Sequence, residues 1–187
     1  MRSYLLAAGR GTRAGGPKAW LPHDGRTLLE SQLAFLLTRF RPEQICVTIQ
    51  EEWRARCEEL NRGVNWIAAD PDAPAFASLR KILDGAARED WSFVHHVDMP
   101  VWVPELFDAL AAEAGEADVD AVAPRYAGRR GHPVLLSPRA QAALKLVDAS
   151  AGRLDRWLEG RRVRDVEVPF ACVRENWNDG PITPSAK

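Results

Sequence analysis

The feature that most constrains this chain is a short apolar strand that runs directly into a glycine-rich, cationic loop. Residues 3–18 have the sequence SYLLAAGRGTRAGGPK. Glycines let backbone N–H groups approach phosphate oxygens without interference from a Cβ atom, and the cations Arg10, Arg13 and Lys18 can neutralise the remaining charge. The segment therefore predicts a polyphosphate site at the end of a strand.

Strand-like apolar runs alternate with stretches of helical period along the chain. The predicted strands cover 3–7, 45–49, 64–68, 92–97, 121–123, 133–136 and 163–168. The predicted helices cover 27–40, 53–60, 75–88, 104–113, 138–147 and 153–159. This alternation predicts a three-layer α/β/α sandwich with a mainly parallel sheet, in which ligands bind beyond the carboxyl ends of the strands.

The composition limits the classes of binding partner and the cellular compartment that we expect for this chain. The 187 residues contain no linker-like segment, so we expect one domain over 1–187. The net charge of -1 predicts no nucleic-acid partner and no binding to an acidic membrane. The three cysteines lack the spacing of a zinc site or a disulfide framework, which favours a reducing cytoplasm. The apolar N-terminal stretch is too short for a signal or membrane span, so we expect a soluble protein.

Two common phosphate-binding motifs fit the loop poorly. Residues 9–14 satisfy the dinucleotide fingerprint, but that motif needs a helix to begin within it, and the Gly-Gly-Pro of residues 15–17 would break the helix. Residues 11–18 approach a Walker loop, but Pro17 precedes the lysine and Ala19 lacks the hydroxyl that would bind magnesium. The sequence therefore disfavours a Rossmann dinucleotide site and a P-loop kinase or ATPase.

The loop closely resembles the signature LAAGxGxR, followed after four or five residues by lysine, of the nucleotidyltransferases. In particular, the chain resembles the compact MobA/MocA-like group, the molybdenum-cofactor guanylyl- and cytidylyltransferases. Residues 76–80 (FASLR) resemble the family's Ser-Leu helix start, 98–100 (DMP) its metal-binding aspartate motif, and 131–134 (GHPV) a segment lining the acceptor side. The resemblance extends to about Asn178 and implies the Rossmann-like nucleotide-diphospho-sugar transferase fold.

The chemistry implied by this resemblance requires alignment and charge neutralisation. An acceptor phosphate, already ionised at neutral pH, attacks the α-phosphate of an NTP, and pyrophosphate leaves without need of a general base. Arg13, Lys18 and Asp98 are the expected catalytic residues, with Asp98 binding Mg²⁺ through a carboxylate at the end of a buried strand. The family's second metal contact falls on Asn178 or Asp179, although the spacing here is altered.

The remaining candidate residues surround the loop and the strand ends. The expected nucleotide-binding residues are Leu6, Ala7, Ala8, Gly9, Arg10, Gly11, Thr12, Arg13, Lys18, Asp70 and Ser78. Asp70 could instead begin a turn with Pro71, and Ser78 could be an ordinary residue near a helix start. His132 is the acceptor-side candidate, although packing would explain it equally well. We expect His95 and His96 to pack on opposite faces of a strand, which argues against a zinc site.

The expected function is Mg²⁺-dependent nucleotidyl transfer to a phosphorylated acceptor, plausibly molybdopterin. The Ala7-Ala8 pair resembles cytidylyl-type members, which favours CTP over GTP. One alternative is a nucleotide-binding accessory protein that has lost catalysis, as the altered C-terminal turn would suggest. Another is a sugar-1-phosphate nucleotidyltransferase. The resemblance also implies transient handover to a cofactor-accepting enzyme by a monomer or homodimer.

Overall fold

The computed structural model describes residues 1–12, 15–85, 89–115 and 118–177. The strands are β1 (Arg2–Leu6), β2 (Pro22–His23), β3 (Arg26–Thr27), β4 (Ile45–Ile49), β5 (Asn65–Ala68), β6 (Ser92–His96), β7 (Ala121–Tyr126), β8 (Arg129–Arg130), β9 (Val134–Leu136) and β10 (Val163–Glu167). The helices are α1 (Leu28–Leu37), α2 (Arg54–Leu60), α3 (Ala75–Gly85), α4 (Pro104–Ala112), α5 (Pro138–Leu144) and α6 (Leu154–Glu159). Short 3-10 helices cover Lys18–Trp20, Pro42–Gln44, Glu51–Trp53 and Ala171–Arg174.

One large sheet has the strand order β10-β7-β9-β6-β1-β4-β5, with β8 paired to β7. The strands β6, β1, β4 and β5 run parallel to one another, as do β7 and β10. Strand β9 runs antiparallel to both of its neighbours, β6 and β7. The predicted mainly parallel sheet is therefore confirmed. The order reverses at β1, so the carboxyl ends of β1 and β6 border a crevice of the kind that binds ligands in open α/β sheets.

Helices cover both faces of this sheet because strand side chains alternate between the faces. Leu5 and Phe93 pack under α1, α2 and α4 in one apolar cluster. Tyr4 and Val94 pack under α3, α5 and α6 in a second cluster. This arrangement confirms the predicted three-layer sandwich.

The first helix begins one residue later than predicted. Thr27 is its N-cap, because the Thr27 hydroxyl accepts a hydrogen bond from the Glu30 backbone N–H at 3.2 Å and the Glu30 carboxylate accepts from the Thr27 N–H at 2.6 Å. This reciprocal capping box satisfies two N–H groups that the helix itself leaves unpaired. None of the described helices is both long and apolar enough to cross a membrane.

Strand β7 is longer than the predicted segment 121–123, because it continues through Pro124 to Tyr126. Proline lacks the N–H that a ladder needs. Here the β9 ladder ends at Val122 and the β8 ladder begins at Arg125, so Pro124 lies between the two partners on that edge. The β2–β3 hairpin was not predicted, and its turn places Asp24 and Gly25 at positive φ.

Candidate active site

A cleft of about 260 Å³ lies at the carboxyl ends of β1 and β6. It is lined by Leu6, Ala8, Gly9, Gly11, Thr12, Lys18, Asp70, Ala73, Ala75, Ser78, His96, Val97 and Asp98. Most of the predicted nucleotide-binding residues therefore meet in one place, together with the predicted metal ligand Asp98. The described exceptions among the predicted nucleotide-binding residues are Ala7 and Arg10.

The glycine-rich loop is folded back on itself. The Gly16 N–H donates to the Gly11 carbonyl at 3.2 Å, and Gly11 has a φ of +62°. A Cβ atom on Gly11 would lie 1.9 Å from the Gly16 carbonyl oxygen, so only glycine fits this turn. The base of the loop is held by Gln50, whose Nε2 donates to the Ala8 carbonyl at 3.0 Å.

Ala7 belongs to the support of the loop rather than to the wall of the cleft. It is buried, and its N–H donates to the Thr48 carbonyl at 3.1 Å and to Thr48 Oγ1 at 3.3 Å. These bonds continue the β1–β4 ladder by one residue. They fix where the strand ends and the loop begins.

Lys18 and Asp98 form the charged centre of the cleft. Lys18 Nζ donates to Asp98 Oδ2 at 2.6 Å, and the two side chains are only 14% and 22% exposed. Lys18 begins the 3-10 helix Lys18–Trp20, while Asp98 follows β6 in the turn after Val97. Partial burial strengthens the attraction between opposite charges, because less water screens them than at the surface. The sequence placed these residues 80 positions apart, and the fold brings them into contact.

Arg10 points away from this centre. Its guanidinium pairs with the Asp72 carboxylate, and both side chains are more than half exposed. The Arg10 hydrogen bonds lower the pKa of Asp72 below its ordinary value. Arg10 therefore lies outside the cleft in this conformation. The predicted residues Arg13, Asn178 and Asp179 lie outside the described residues.

Asp70 and Ser78 contribute polar groups to the cleft from the β5 and α3 side. Asp70 is exposed, and its Oδ1 accepts a hydrogen bond from the Asp72 N–H at 2.9 Å, so it also begins a turn. Ser78 is buried near the start of α3. Both positions are therefore compatible with a nucleoside contact and with the structural alternatives expected from the sequence.

A second cavity of about 390 Å³ adjoins the cleft, and the two share Leu6, Ala75 and His96. The remaining residues that line this adjoining cavity are Pro74, Phe76, Leu79, Ala123, Arg130, Gly131, His132, Val134, Gly152, Arg153, Leu154, Asp155 and Leu158. Its apolar side chains come from the sheet, α3 and α6. Its arginines are exposed and paired, Arg130 with Asp165 at 2.5 Å and Arg153 with Asp155 at 2.5 Å.

His132, the acceptor-side candidate, lines only the adjoining cavity. Its ring lies edge-to-face with the ring of His96, with centroids 5.0 Å apart. Burial lowers the pKa of His132 to about 3, and the nearby His96 adds to this effect. Burial also lowers the pKa of His96, while Asp98 partly opposes the shift. Both imidazoles are thus neutral at physiological pH.

The residues of the cleft fit a magnesium site in which the protein supplies few ligands and the substrate phosphates supply others. Among the residues that the structure describes, no group of three or more His, Cys, Asp or Glu side chains could hold a metal ion. Magnesium, however, often takes one or two protein carboxylates and fills its other positions with water and phosphate oxygens. Asp98 supplies such a carboxylate within the cleft that contains the glycine-rich loop.

Several residues of this region were not identified as functional from the sequence. His96 was expected to pack in the core, yet it lies in the wall between the two cavities. Arg153, Asp155 and Leu158 come from α6 and its start, which carry no recognisable motif. Trp177 was expected only to pack, like the other tryptophans, yet its backbone N–H donates to the Asp98 carbonyl at 2.7 Å. The one sequence signal for His96 is its position two residues before Asp98, which could have indicated that it lines the cleft.

A family model and several solved structures match this chain. A family model described as the MobA-like NTP transferase domain matches residues 4–166. Among solved structures, Rv0371c from Mycobacterium tuberculosis H37Rv is similar at a TM-score of 0.76 and 24% identity, covering 96% of this chain and 94% of that one. A manganese complex of Rv0371c matches with a TM-score of 0.68 and 22% identity over 89% of this chain and 87% of that one. These two likenesses show a shared fold.

Two curated relatives are nucleotidyltransferases by name. The 2-C-methyl-D-erythritol 4-phosphate cytidylyltransferase of Cereibacter sphaeroides is 33% identical over 110 residues, 56% of this chain and 49% of that protein. The match thus spans about half of that relative's length. A protein of Thermococcus gammatolerans named "Probable molybdenum cofactor guanylyltransferase" is 24% identical over 184 residues, 96% of this chain and 91% of that protein.

Proposed function

Since the chain belongs to the MobA-like NTP transferase family, we propose that it transfers a nucleoside monophosphate from an NTP to a phosphorylated acceptor. Pyrophosphate is the second product. The observation that carries this proposal is the Lys18–Asp98 pair, which lies with the glycine-rich loop in a cleft that adjoins a second cavity. One cavity suits a charged triphosphate, and the other suits the body of an acceptor.

The chain's own residues align the reactants and neutralise their charge. The N–H groups of the glycine-rich loop orient the triphosphate, and the Lys18 ammonium offsets the charge that develops on the α-phosphate and on the departing pyrophosphate. The acceptor phosphate approaches from the adjoining cavity past His96, which lines both spaces. The bond from the acceptor oxygen to the α-phosphorus forms as the bond to the pyrophosphate oxygen breaks. The acceptor phosphate is already ionised, so no residue need remove a proton.

We assign the metal to Mg²⁺, held by Asp98 and by phosphate oxygens. Asp98 would hold the ion, which would act as a Lewis acid that withdraws electron density from the phosphate. The manganese complex of Rv0371c supports a divalent metal in this fold. Metal contacts by Asn178 or Asp179 and charge neutralisation by Arg13 remain predictions from the family resemblance.

For the nucleotide we favour CTP over GTP, and for the acceptor we favour molybdopterin. The cytidylyltransferase relative supports the first choice, while the Thermococcus relative supports the acceptor and names a guanylyl transfer instead. Two alternative functions are a nucleotide-binding accessory protein without turnover and a sugar-1-phosphate nucleotidyltransferase.

We further propose that residues 1–187 form one transferase domain that acts in the cytoplasm as a monomer or homodimer. The cysteines Cys46, Cys57 and Cys172 are all unpaired, which supports a reducing compartment. The product would pass transiently to a cofactor-accepting enzyme. The proposal includes no nucleic-acid partner and no binding to a membrane.

The decisive test is pyrophosphate release with each NTP, Mg²⁺ and candidate acceptors, including molybdopterin and hexose 1-phosphates. We expect CTP with molybdopterin to give the highest rate and a chelator to abolish it. Asp98→Asn should reduce the rate at least about 100-fold, as loss of a charge-stabilising group does in other enzymes. Asp108→Asn is the matched control, because Asp108 is an exposed carboxylate on α4 that pairs with Arg39. Equal rates in the two variants would contradict the role of Asp98.

The same assay separates the alternatives. Tight NTP binding without turnover for every acceptor would support the accessory protein. Turnover restricted to hexose 1-phosphates would support the sugar-phosphate enzyme. A preference for GTP would retain the reaction and correct only the base.

A further inference from the structure

Residues 173–177, here called the C-terminal strap, connect the walls of the two cavities. At one end, the Val173 carbonyl accepts a hydrogen bond from the His132 N–H at 2.8 Å, and Arg174 Nη1 donates to the Arg130 carbonyl at 3.2 Å. At the other end, the Trp177 N–H donates to the Asp98 carbonyl at 2.7 Å. The strap is thus hydrogen-bonded to the acceptor-side turn and to the loop of the predicted metal ligand.

Close packing fixes the first end. A Cβ atom added to Gly131 would lie 2.2 Å from the Val173 carbonyl oxygen, so the turn before β9 touches the strap directly. Gly131 is itself tied to the sheet, because its N–H donates to the Pro124 carbonyl at 2.8 Å. The strap therefore moves only together with the wall of the adjoining cavity.

An aromatic cluster fixes the second end. Trp177 is 6% exposed, and its ring meets the rings of His23 and Trp102 at centroid distances of 5.2 and 5.8 Å. His23 also stacks on Trp102 at 4.6 Å. His23 lies in the β2–β3 hairpin that follows Lys18, and Trp102 lies in the loop that follows Asp98. Trp177 is the point at which the strap and both charge-bearing segments pack together.

We propose that Trp177 is a positioning residue that sets the Asp98 loop in place relative to the His132 wall. This inference rests on the proposed function, because it concerns the alignment of the acceptor phosphate with the α-phosphate. In-line transfer is sensitive to such alignment, since a misplacement of about 1 Å can cost about 100-fold in rate. Trp177 itself touches no reacting atom. It acts through the backbone of Asp98 and through the packing of His23 and Trp102.

The test compares Trp177→Leu, Trp177→Phe and Trp66→Leu in the full chain. Trp66 is the control of equal burial, since it is 7% exposed in edge strand β5 and lines neither cavity. Trp66→Leu also removes the indole hydrogen bond to the Asn61 carbonyl, so its loss of stability should be at least as large. Trp177→Phe keeps an aromatic ring, and the Trp177 indole N–H has no hydrogen-bond partner that the change would remove among the described residues. The measurements are kcat and KM for both substrates, thermal stability, and amide hydrogen exchange of peptides covering 94–103 and 129–136.

For Trp177→Leu we expect kcat to fall about tenfold or more while the KM for the NTP changes less than about twofold. Exchange should increase in both peptides, because both ends of the strap loosen. Trp177→Phe should retain most of the turnover. Trp66→Leu should lower thermal stability at least as much without changing kcat or exchange in these peptides.

The inference is overturned if Trp177→Leu turns over like the wild type, if exchange changes in neither peptide, or if Trp66→Leu lowers kcat equally. These outcomes differ from failure of the proposed function, which would be a wild-type protein that releases no pyrophosphate with any acceptor. In that case the hydrogen-exchange comparison still decides whether Trp177 joins the two walls. Unchanged hydrogen exchange in both peptides would then refute the positioning role of Trp177 as well.

Discussion

The two adjoining cavities differ in how deeply their charged side chains are buried. The cleft contains the glycine-rich loop, the partly buried cation Lys18 and the carboxylate Asp98. The adjoining cavity is lined mainly by aliphatic and aromatic groups, and its arginines are exposed and already paired with aspartates. The ion pair of the cleft is thus more deeply buried than the arginine–aspartate pairs of the adjoining cavity. The shape of an apolar surface is left to select the acceptor.

The boundary between the cavities is itself neutral. Leu6, Ala75 and His96 line both spaces, and burial keeps the pKa of His96 low enough for a neutral ring. A cationic group at this boundary would compete with Lys18 for the phosphates. The two cavities therefore share a neutral wall although they lie side by side.

The largest expected effect comes from removing the cation of the cleft. We expect Lys18→Ala to lower kcat/KM for the NTP by about 100- to 1,000-fold, because a preorganised charge at the developing pyrophosphate is lost. Steady-state pyrophosphate release measures the effect. The control is Lys81→Ala, because Lys81 is an exposed lysine on α3 outside both cavities. A Lys18→Ala enzyme within a few-fold of Lys81→Ala would show that the cleft does not depend on its fixed charge.

The pH dependence of the free energy of unfolding tests whether the buried imidazole of His95, next to His96 in the chain, is neutral. His95 is 3% exposed, and its Nε2 lacks a hydrogen-bond partner among the described residues. Burial lowers its pKa from 6.5 to about 3, with smaller contributions from His132 and His96. Between these values the unfolded chain binds a proton that the folded chain excludes. The free energy of unfolding should therefore fall as the pH drops below 6.5, and it should not change above 6.5 on account of His95.

His95→Leu isolates this effect from the titration of carboxylates. Between pH 7 and pH 4.5 we expect the wild type to lose roughly 2–3 kcal/mol more than the variant. Urea denaturation at the two pH values measures the difference. Equal losses in the two proteins would mean that His95 accepts a proton in the folded state.

The shape of the adjoining cavity can be changed without touching the cleft. A Cβ atom on Gly152 would lie 2.2 Å from Phe76 Cδ1 and 2.8 Å from the Asp148 carbonyl oxygen. Gly152→Ala must therefore displace the Phe76 ring, which lines only the adjoining cavity, and shift the backbone near Asp148. We expect the KM for the acceptor to rise about tenfold, as expected for a pocket whose packing is disturbed by a methyl group. The KM for the NTP should change less than about twofold.

Gly160→Ala is the matched control for Gly152→Ala. A Cβ atom on Gly160 meets nothing within 4 Å, so the same substitution lacks the steric conflict. Thermal melts of both variants separate a local displacement from general destabilisation. A parallel rise of both KM values in Gly152→Ala would show that the two cavities respond as one.

The sequence predicted the cleft better than the adjoining cavity, and the reason is physical. Residues 3–18 and the Asp98 motif each combine a strand end with a chemically distinctive loop, so the local pattern places both at the carboxyl-end edge of the sheet. The observed strand order then makes β1 and β6 neighbours. The adjoining cavity instead arises where α3, α6 and the antiparallel strand β9 meet. Its aliphatic residues have the same pattern as ordinary core residues. Only the three-dimensional packing of those elements distinguishes them.

The smallest expected effect tests the one loop cation that the structure places outside the cleft. Arg10 was predicted to bind the nucleotide, but its guanidinium pairs with Asp72 at the surface. Water screens an exposed ion pair, so Arg10→Ala should leave thermal stability almost unchanged. We also expect the KM for the NTP to change less than about threefold, in contrast to Lys18→Ala. A larger loss of NTP affinity would show that Arg10 leaves Asp72 and binds the triphosphate during the reaction, which would extend the charged region of the cleft to the outer loop.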